Sequence, residues 1–169
     1  MLSESARMSS AAEARFRVQA PNSRPRAIKV IALDAPAEHV VKELAEREWQ
    51  NATFFTASAF AGSPQGGRFS VDGWLSDLAG RTKSLMDEVA TADLVVMVAT
   101  AGENAQAASL IGEACSARRV MTTALVLGSA ATSDDVLAKS LSHLRPWSLM
   151  VVIASAEDYI ADMLTALRA

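Results

Sequence analysis

Two acids, one histidine and a few small polar residues stand where this chain could do chemistry. Asp34 and His39 come directly after an apolar run, Ile28 to Leu33. Thr100, Gly102, Glu103 and Asn104 come after a second run, Leu94 to Ala99, and Ser129 after a third that ends at Leu127. If those runs are parallel strands, all seven residues lie at strand C-termini, where open α/β sheets take their ligands. Asp34 and Glu103 would then approach each other and could hold a divalent cation or share a proton. The simpler reading has each carboxylate stabilising the N-terminus of the helix that follows it. We prefer that reading, because two carboxylates are too sparse a set to assign a metal. His39, in the first turn after the first strand, is the better placed of the two histidines for acid–base work, although a solvated surface position is the preferred reading. His143 falls in the last turn of a helix, where a positive charge is favourable.

Phosphate chemistry is poorly served. A phosphate site needs backbone N–H groups that converge without Cβ obstruction and without nearby negative charge. The turn Asp34-Ala35-Pro36-Ala37-Glu38 has no glycine, loses a donor at Pro36 and carries two acids. The later turn offers Gly102, Asn104, Gln106 and Ser109, but Glu103 opposes an anion. Gly62 to Gly67, followed by Arg68, is richer in glycine, yet no Lys-Ser/Thr pair opens a helix there, so it reads as a loop. Nucleophilic chemistry fares no better: there is no Gly-x-Ser-x-Gly elbow, and Cys115 shares a helix face with Ile111, as a core thiol would. Trp49, Trp74 and Trp147 sit at element ends and read as core edges or an interface. No cofactor is assigned.

The elements that would position these residues follow from apolar spacing. Ala27 to Leu33 predicts a first strand, and Asp34-Ala35-Pro36 a helix start, with proline where its missing N–H costs nothing. Val40, Val41, Leu44 and Ala45 share a helical face, and Asn51 ends that helix. Ala52 to Ala57 predicts strand two. Residues 58–73 read as irregular, with a short edge strand at Arg68 to Val71. From Leu75, the spacing through Leu78, Thr82, Leu85, Met86 and Val89 predicts a helix of four turns. Strands at 93–100, 120–127 and 149–154 alternate with helices around Ile111, around Leu137, and from Tyr159 to Leu167. Ser155 to Asp158 resembles a capping box for the last of these. Strands apolar on both faces, alternating with helices, predict a three-layer α/β/α sandwich with a mostly parallel, Rossmann-like sheet of five or six strands.

The 169 residues suit one domain, expected over 27–169 after a disordered basic tail at 1–26. That tail carries five arginines and two glutamates, so the rest of a chain of net charge −3 carries −6. An acidic body argues against nucleic acid as a partner. No apolar run approaches the ~20 residues needed to cross a bilayer, and the N-terminus has no apolar core of a secretory signal, so no membrane partner and a cytoplasmic location are expected. The arginine- and serine-bearing tail also fits an organelle transit peptide, though without a clear amphipathic period. One cysteine excludes an intrachain disulfide.

The order of these segments resembles the nucleotide-binding half of the tubulin/FtsZ superfamily over about residues 27–128. In that family a strand like Ile28 to Leu33 leads into a glycine loop, a strand like Ala52 to Ala57 follows, and a strand like Ala92 to Gly102 precedes a Gly-Gly-Gly-Thr-Gly-Thr-Gly signature. The resemblance implies a nucleotide-binding scaffold. Here, however, Asp34-Ala35-Pro36 and Gly102-Glu103-Asn104-Ala105-Gln106-Ala107-Ala108 replace the two loops, so GTP hydrolysis does not carry over. The expectation is a degenerate relative: a ligand- or protein-binding regulatory module without GTPase activity, with a small molecule or a protein as partner and homo-oligomerisation open. The alternatives are an enzyme acting on a nucleotide or small metabolite through Asp34, His39 and Glu103, or a subunit whose active site another chain completes.

Overall fold

The computed structural model describes residues 25–57, 74–128, 131–155 and 157–169. Their seven strands are β1 (Ile28–Ala32), β2 (Ala52–Thr56), β3 (Trp74–Asp77), β4 (Thr82–Ser84), β5 (Leu94–Thr100), β6 (Met121–Leu127) and β7 (Met150–Ala154). The helices are α1 (Ala35–Ala45), α2 (Leu85–Ala90), α3 (Ala107–Arg118), α4 (Asp134–Leu144) and α5 (Glu157–Ala166), with a 3-10 turn at Arg145–Trp147. One sheet holds all seven strands in the order β4-β3-β2-β1-β5-β6-β7. The β2-β1-β5-β6-β7 portion is parallel, and β3 and β4 add an antiparallel edge. The mostly parallel Rossmann-like α/β sandwich is as expected, with more strands than the five or six expected.

Period-two alternation sorts the strand side chains into two cores. Ile31, Leu33, Val95, Met97 and Ala99 pack against Leu85 and Val89 of α2, Ala108, Ile111 and Cys115 of α3, and Leu144 of α4. Val30, Ala32, Val96 and Val98 pack on the other face against Ala37, Val41 and Leu44 of α1 and Ile160, Ala161 and Leu164 of α5. Both central strands are therefore buried on both faces, as a covered parallel sheet requires. Gly112 of α3 lies where a Cβ would come within 2.6 Å of Trp147 Cβ, so the 3-10 turn packs directly on the helix backbone. Lys29 is the polar exception in β1: its ammonium meets Glu88 Oε2 of α2 at 2.9 Å and lies 5.7 Å from the centre of the Phe55 ring.

Three expectations need correction. The four-turn helix from Leu75 is instead a hairpin followed by a short helix. Asp77 accepts from the N–H groups of Ala79 and Arg81 and from Arg81 Nε, at 3.0, 2.8 and 2.7 Å, and Gly80 takes φ 77°. These contacts, Arg81's backbone N–H first, also hold the Asp77 carboxyl below its ordinary value. A side chain that satisfies the turn backbone and a glycine in the left-handed region stop a helix that apolar spacing alone would permit. Leu75, Leu85 and Val89 still share one core, so the spacing reported burial correctly but not the element. α1 ends at Ala45, not Asn51; the Asn51 carbonyl instead accepts from Ile28 N–H beside the start of β2. The sequence predicts at most one short edge strand beside the parallel ones, whereas β3 and β4 add two. The predicted edge strand at Arg68 to Val71, the Gly62 to Gly67 loop, nearly all of the tail and Ala156 of the capping box fall outside the described residues. No described helix is long and apolar enough to cross a membrane.

Candidate functional site

The order in which strands are added to the sheet reverses between the parallel neighbours β1 and β5. From β1 the chain passes outward to β2, and from β5 it passes the other way to β6 and β7. A ligand of this sheet class would enter beyond the C-termini of that pair. Asp34 follows β1 there, 5 % exposed, and Thr100 ends β5.

The crevice is bridged by side chains. Asp34 Oδ1 accepts from Ala37 N–H at 2.8 Å, which caps α1. The same oxygen accepts from Thr100 Oγ1 at 2.9 Å, and Oδ2 accepts from Thr100 N–H at 2.7 Å. Three donors thus converge on one carboxylate, which ties the two strands together at the position a ligand would occupy. The expectation that Asp34 stabilises its own helix holds. Its bond to β5 is additional and depends on β1 and β5 being neighbours, which they are in register Ala32↔Val98.

Glu103 differs from expectation. It is exposed and does not cap α3; Gln106 holds the N-cap position without a side-chain bond. Six residues, 101–106, separate Thr100 from the start of α3, so an acid at 103 sits out on the turn. Asn104, also exposed, uses its Oδ1 to accept from Gln106 N–H at 2.9 Å. Gly102 takes φ 90° and donates its N–H to Ser140 Oγ of α4 at 2.9 Å. A Cβ at 102 would stand 3.0 Å from Val136 Cγ1, so the turn is pressed against α4. His39 is exposed on α1, one residue after Glu38, whose carboxylate meets Lys42 Nζ at 2.6 Å and accepts from Thr56 Oγ1 at 3.2 Å. Ser129 falls outside the described residues.

Several described amides around the crevice are already engaged. Leu33 N–H donates to Val98 O, Ala57 to Ala32 O, Ala101 to Leu127 O, Glu103 to Thr100 O and Gly128 to Ala154 O. An anion drawn to these amides would have to displace their bonds. Charge opposes it as well: Glu38, Glu103, Asp134 and Asp135 surround the rim, and Lys42 is paired. Among the described residues no three of His, Cys, Asp and Glu gather as a metal site would require.

Sequence reasoning missed Ser140. It is buried at 6 % exposure, donates to Val136 O at 3.1 Å and holds Gly102 N–H. The available signal was a serine sharing a helix face with Leu137, Leu141 and Leu144. Cys115 is a core thiol, 0 % exposed, and burial pushes it up to about 12. It borders a groove of about 370 Å³ with Arg119, Met121, Trp147 and Leu149, at the strand N-terminal end, across the sheet from the rim. Two other grooves border the α1 C-terminus and the β3–β4 hairpin, also away from the crevice.

No protein-family model matches this chain, and no curated protein sequence matches it.

Proposed function

We propose that this domain is a binding or regulatory module built on a nucleotide-type sheet whose phosphate cradle has been replaced by internal bonding. A single observation supports this reading: at the β1–β5 switch point, the Asp34 carboxylate spans the crevice to both hydrogen-bond donors of Thr100. Nucleotide sites at this position present free amides and glycine to a pyrophosphate. Here a carboxylate occupies the position of the anion and satisfies the donors that an anion would need. On the same reading, the likeness to the tubulin/FtsZ nucleotide domain is one of scaffold and not of activity, and His39, Glu103 and Asn104 form an exposed surface rather than catalytic groups.

A thermal-shift series with GTP, GDP, ATP and FMN, each with and without magnesium, tests this. A nucleotide present at about a hundred times its Kd adds roughly 2.7 kcal/mol of stability. For a domain of this size that corresponds to a rise of roughly 5–10 °C. We expect no nucleotide at millimolar concentration to raise Tm, and no phosphate release from GTP. A rise of several degrees that Asp34→Ala abolishes would overturn the reading.

A further inference from the structure

Five of the six exposed large apolar side chains of the described residues gather at one edge; the sixth, Val136, lies against the Gly102 turn. Met121, Leu149, Met150, Ile153 and Tyr159 all lie on or beside β7, with Leu149 78 % and Ile153 50 % exposed. Among the described strands β7 ends the sheet, and its register with β6 is unbroken from Thr123↔Met150 to Leu127↔Ala154. From Pro146 to Ala156 the sequence carries no charge. Edge strands that face water are ordinarily guarded by lysine, proline or a bulge, because their free N–H and C=O groups template another strand. β7 has none of these guards along its length, and exposed apolar surface gathered in one place marks a contact.

We propose that β7 is the two-fold interface of a homodimer, pairing antiparallel with β7 of a second copy so that the two sheets become one. The backbone sets the register. Gly128 N–H donates to Ala154 O, and the Leu127↔Ala154 pairing therefore turns the main-chain groups of Val152 and Ala154 toward β6. Those of Val151 and Ile153 face the open edge. With Val152 at the two-fold axis, Val151 stands opposite Ile153 of the second copy, and the pair exchanges both N–H···O bonds, as does its symmetry mate.

Flanking helices supply the argument for a second copy rather than another strand donor. A two-fold axis normal to the sheet keeps each face on its own side and reverses its direction. On one face, Val136 and Ser140 mark the flank of α4 that touches the Gly102 turn. At about 100° per residue, Asp134, Ala138, Leu141 and Arg145 fall on the opposite flank, toward β7. Acid thus stands at one end and base at the other, so reversal sets Asp134 beside Arg145 of the second copy at both ends of the interface. On the other face, Thr165 and Arg168 border the segment after α1, which leaves Tyr159 and Met163 on the β7 side of α5. The same reversal brings Met150 to Tyr159 of the second copy, a favourable sulfur–aromatic contact. The surface is complementary to itself, which a closed dimer requires and an unrelated partner does not explain.

Sedimentation equilibrium of the full chain, from low micromolar to near-millimolar concentration, tests the proposal. The mass should rise toward twice 17.9 kDa. Ile153→Lys and Ile153→Pro should each remain monomeric while keeping the wild-type far-ultraviolet circular dichroism, since the Ile153 N–H is not used by β6. Arg145→Asp and Asp134→Arg should each weaken the dimer at least ~10-fold, and the double swap should restore it to within ~3-fold, because only a reversed pair regains its charges. A wild type that is monomeric throughout, a folded Ile153→Lys that dimerises as tightly, or a double swap no tighter than the single changes would each overturn the proposal. None of these outcomes depends on whether the rim binds a nucleotide.

Discussion

Replacing Asp34 with alanine removes three acceptor contacts at once, and the structure allows the cost to be apportioned. Loss of the cap on α1 costs about 1 kcal/mol. Thr100 then keeps an N–H and a hydroxyl without their acceptor at a site where Asp34 is only 5 % exposed. Donors stranded in this way cost roughly 1–3 kcal/mol. Asp34→Ala should therefore lose about 2–4 kcal/mol, which at a urea slope of about 2 kcal/mol per molar lowers the midpoint by roughly 1–2 M. Asp34→Asn separates the components. Its remaining oxygen can still cap Ala37 N–H, but its amide would face the Thr100 N–H, so it should fall between alanine and wild type. Thr100→Val removes only the hydroxyl leg, and a double-mutant cycle with Asp34→Ala should show a coupling of about 0.5–2 kcal/mol. Urea unfolding followed by circular dichroism measures the wild type and all four variants. If Asp34→Ala lies within about 0.5 kcal/mol of wild type, as surface substitutions do, the carboxylate is solvated and the crevice is not closed by it, and the reasoning about the switch point fails.

Two further predictions concern the neighbouring turn and the core. Gly102→Ala places a Cβ at φ 90° and 3.0 Å from Val136 Cγ1; it should cost roughly 1–2 kcal/mol, a fall of about 2–8 °C in Tm. Val136→Ala should recover only the steric part of that loss, because the backbone strain remains. Cys115, pushed from 9.0 to about 12 by burial, should resist Ellman's reagent in the native state and react on unfolding. Because the unfolded thiol loses its proton first, stability should fall as pH rises from 9.0 toward about 12, by at most about 1.4 kcal/mol per pH unit. Cys115→Ala should remove that part of the slope in urea titrations carried out across the range.

The sequence by itself determined the class of this protein. Runs such as Val95 to Ala99, apolar on both faces, can be satisfied only between two helical layers, and Asp34-Ala35-Pro36 starts a helix wherever that segment is placed. These are local rules, in which burial period and capping chemistry are written over a few consecutive residues. Local rules also misled, because Leu75, Leu85 and Val89 fit a helical period while Asp77 and Gly80 enforce a hairpin. Only the tertiary structure decided what occupies the rim. Asp34 could be read as a cap, but its bond to Thr100 joins residues 66 positions apart and exists because β1 and β5 are sheet neighbours. Ser140 reaches Gly102 across 38 positions for the same kind of reason. The exposed β7 edge is likewise a matter of strand order, since Met150 to Ala154 reads as a buried strand in sequence and becomes an edge only because no eighth described strand stands beyond it. Hydrogen bonds and burial depend on which strands are adjacent, and adjacency is set by the whole chain packing at once.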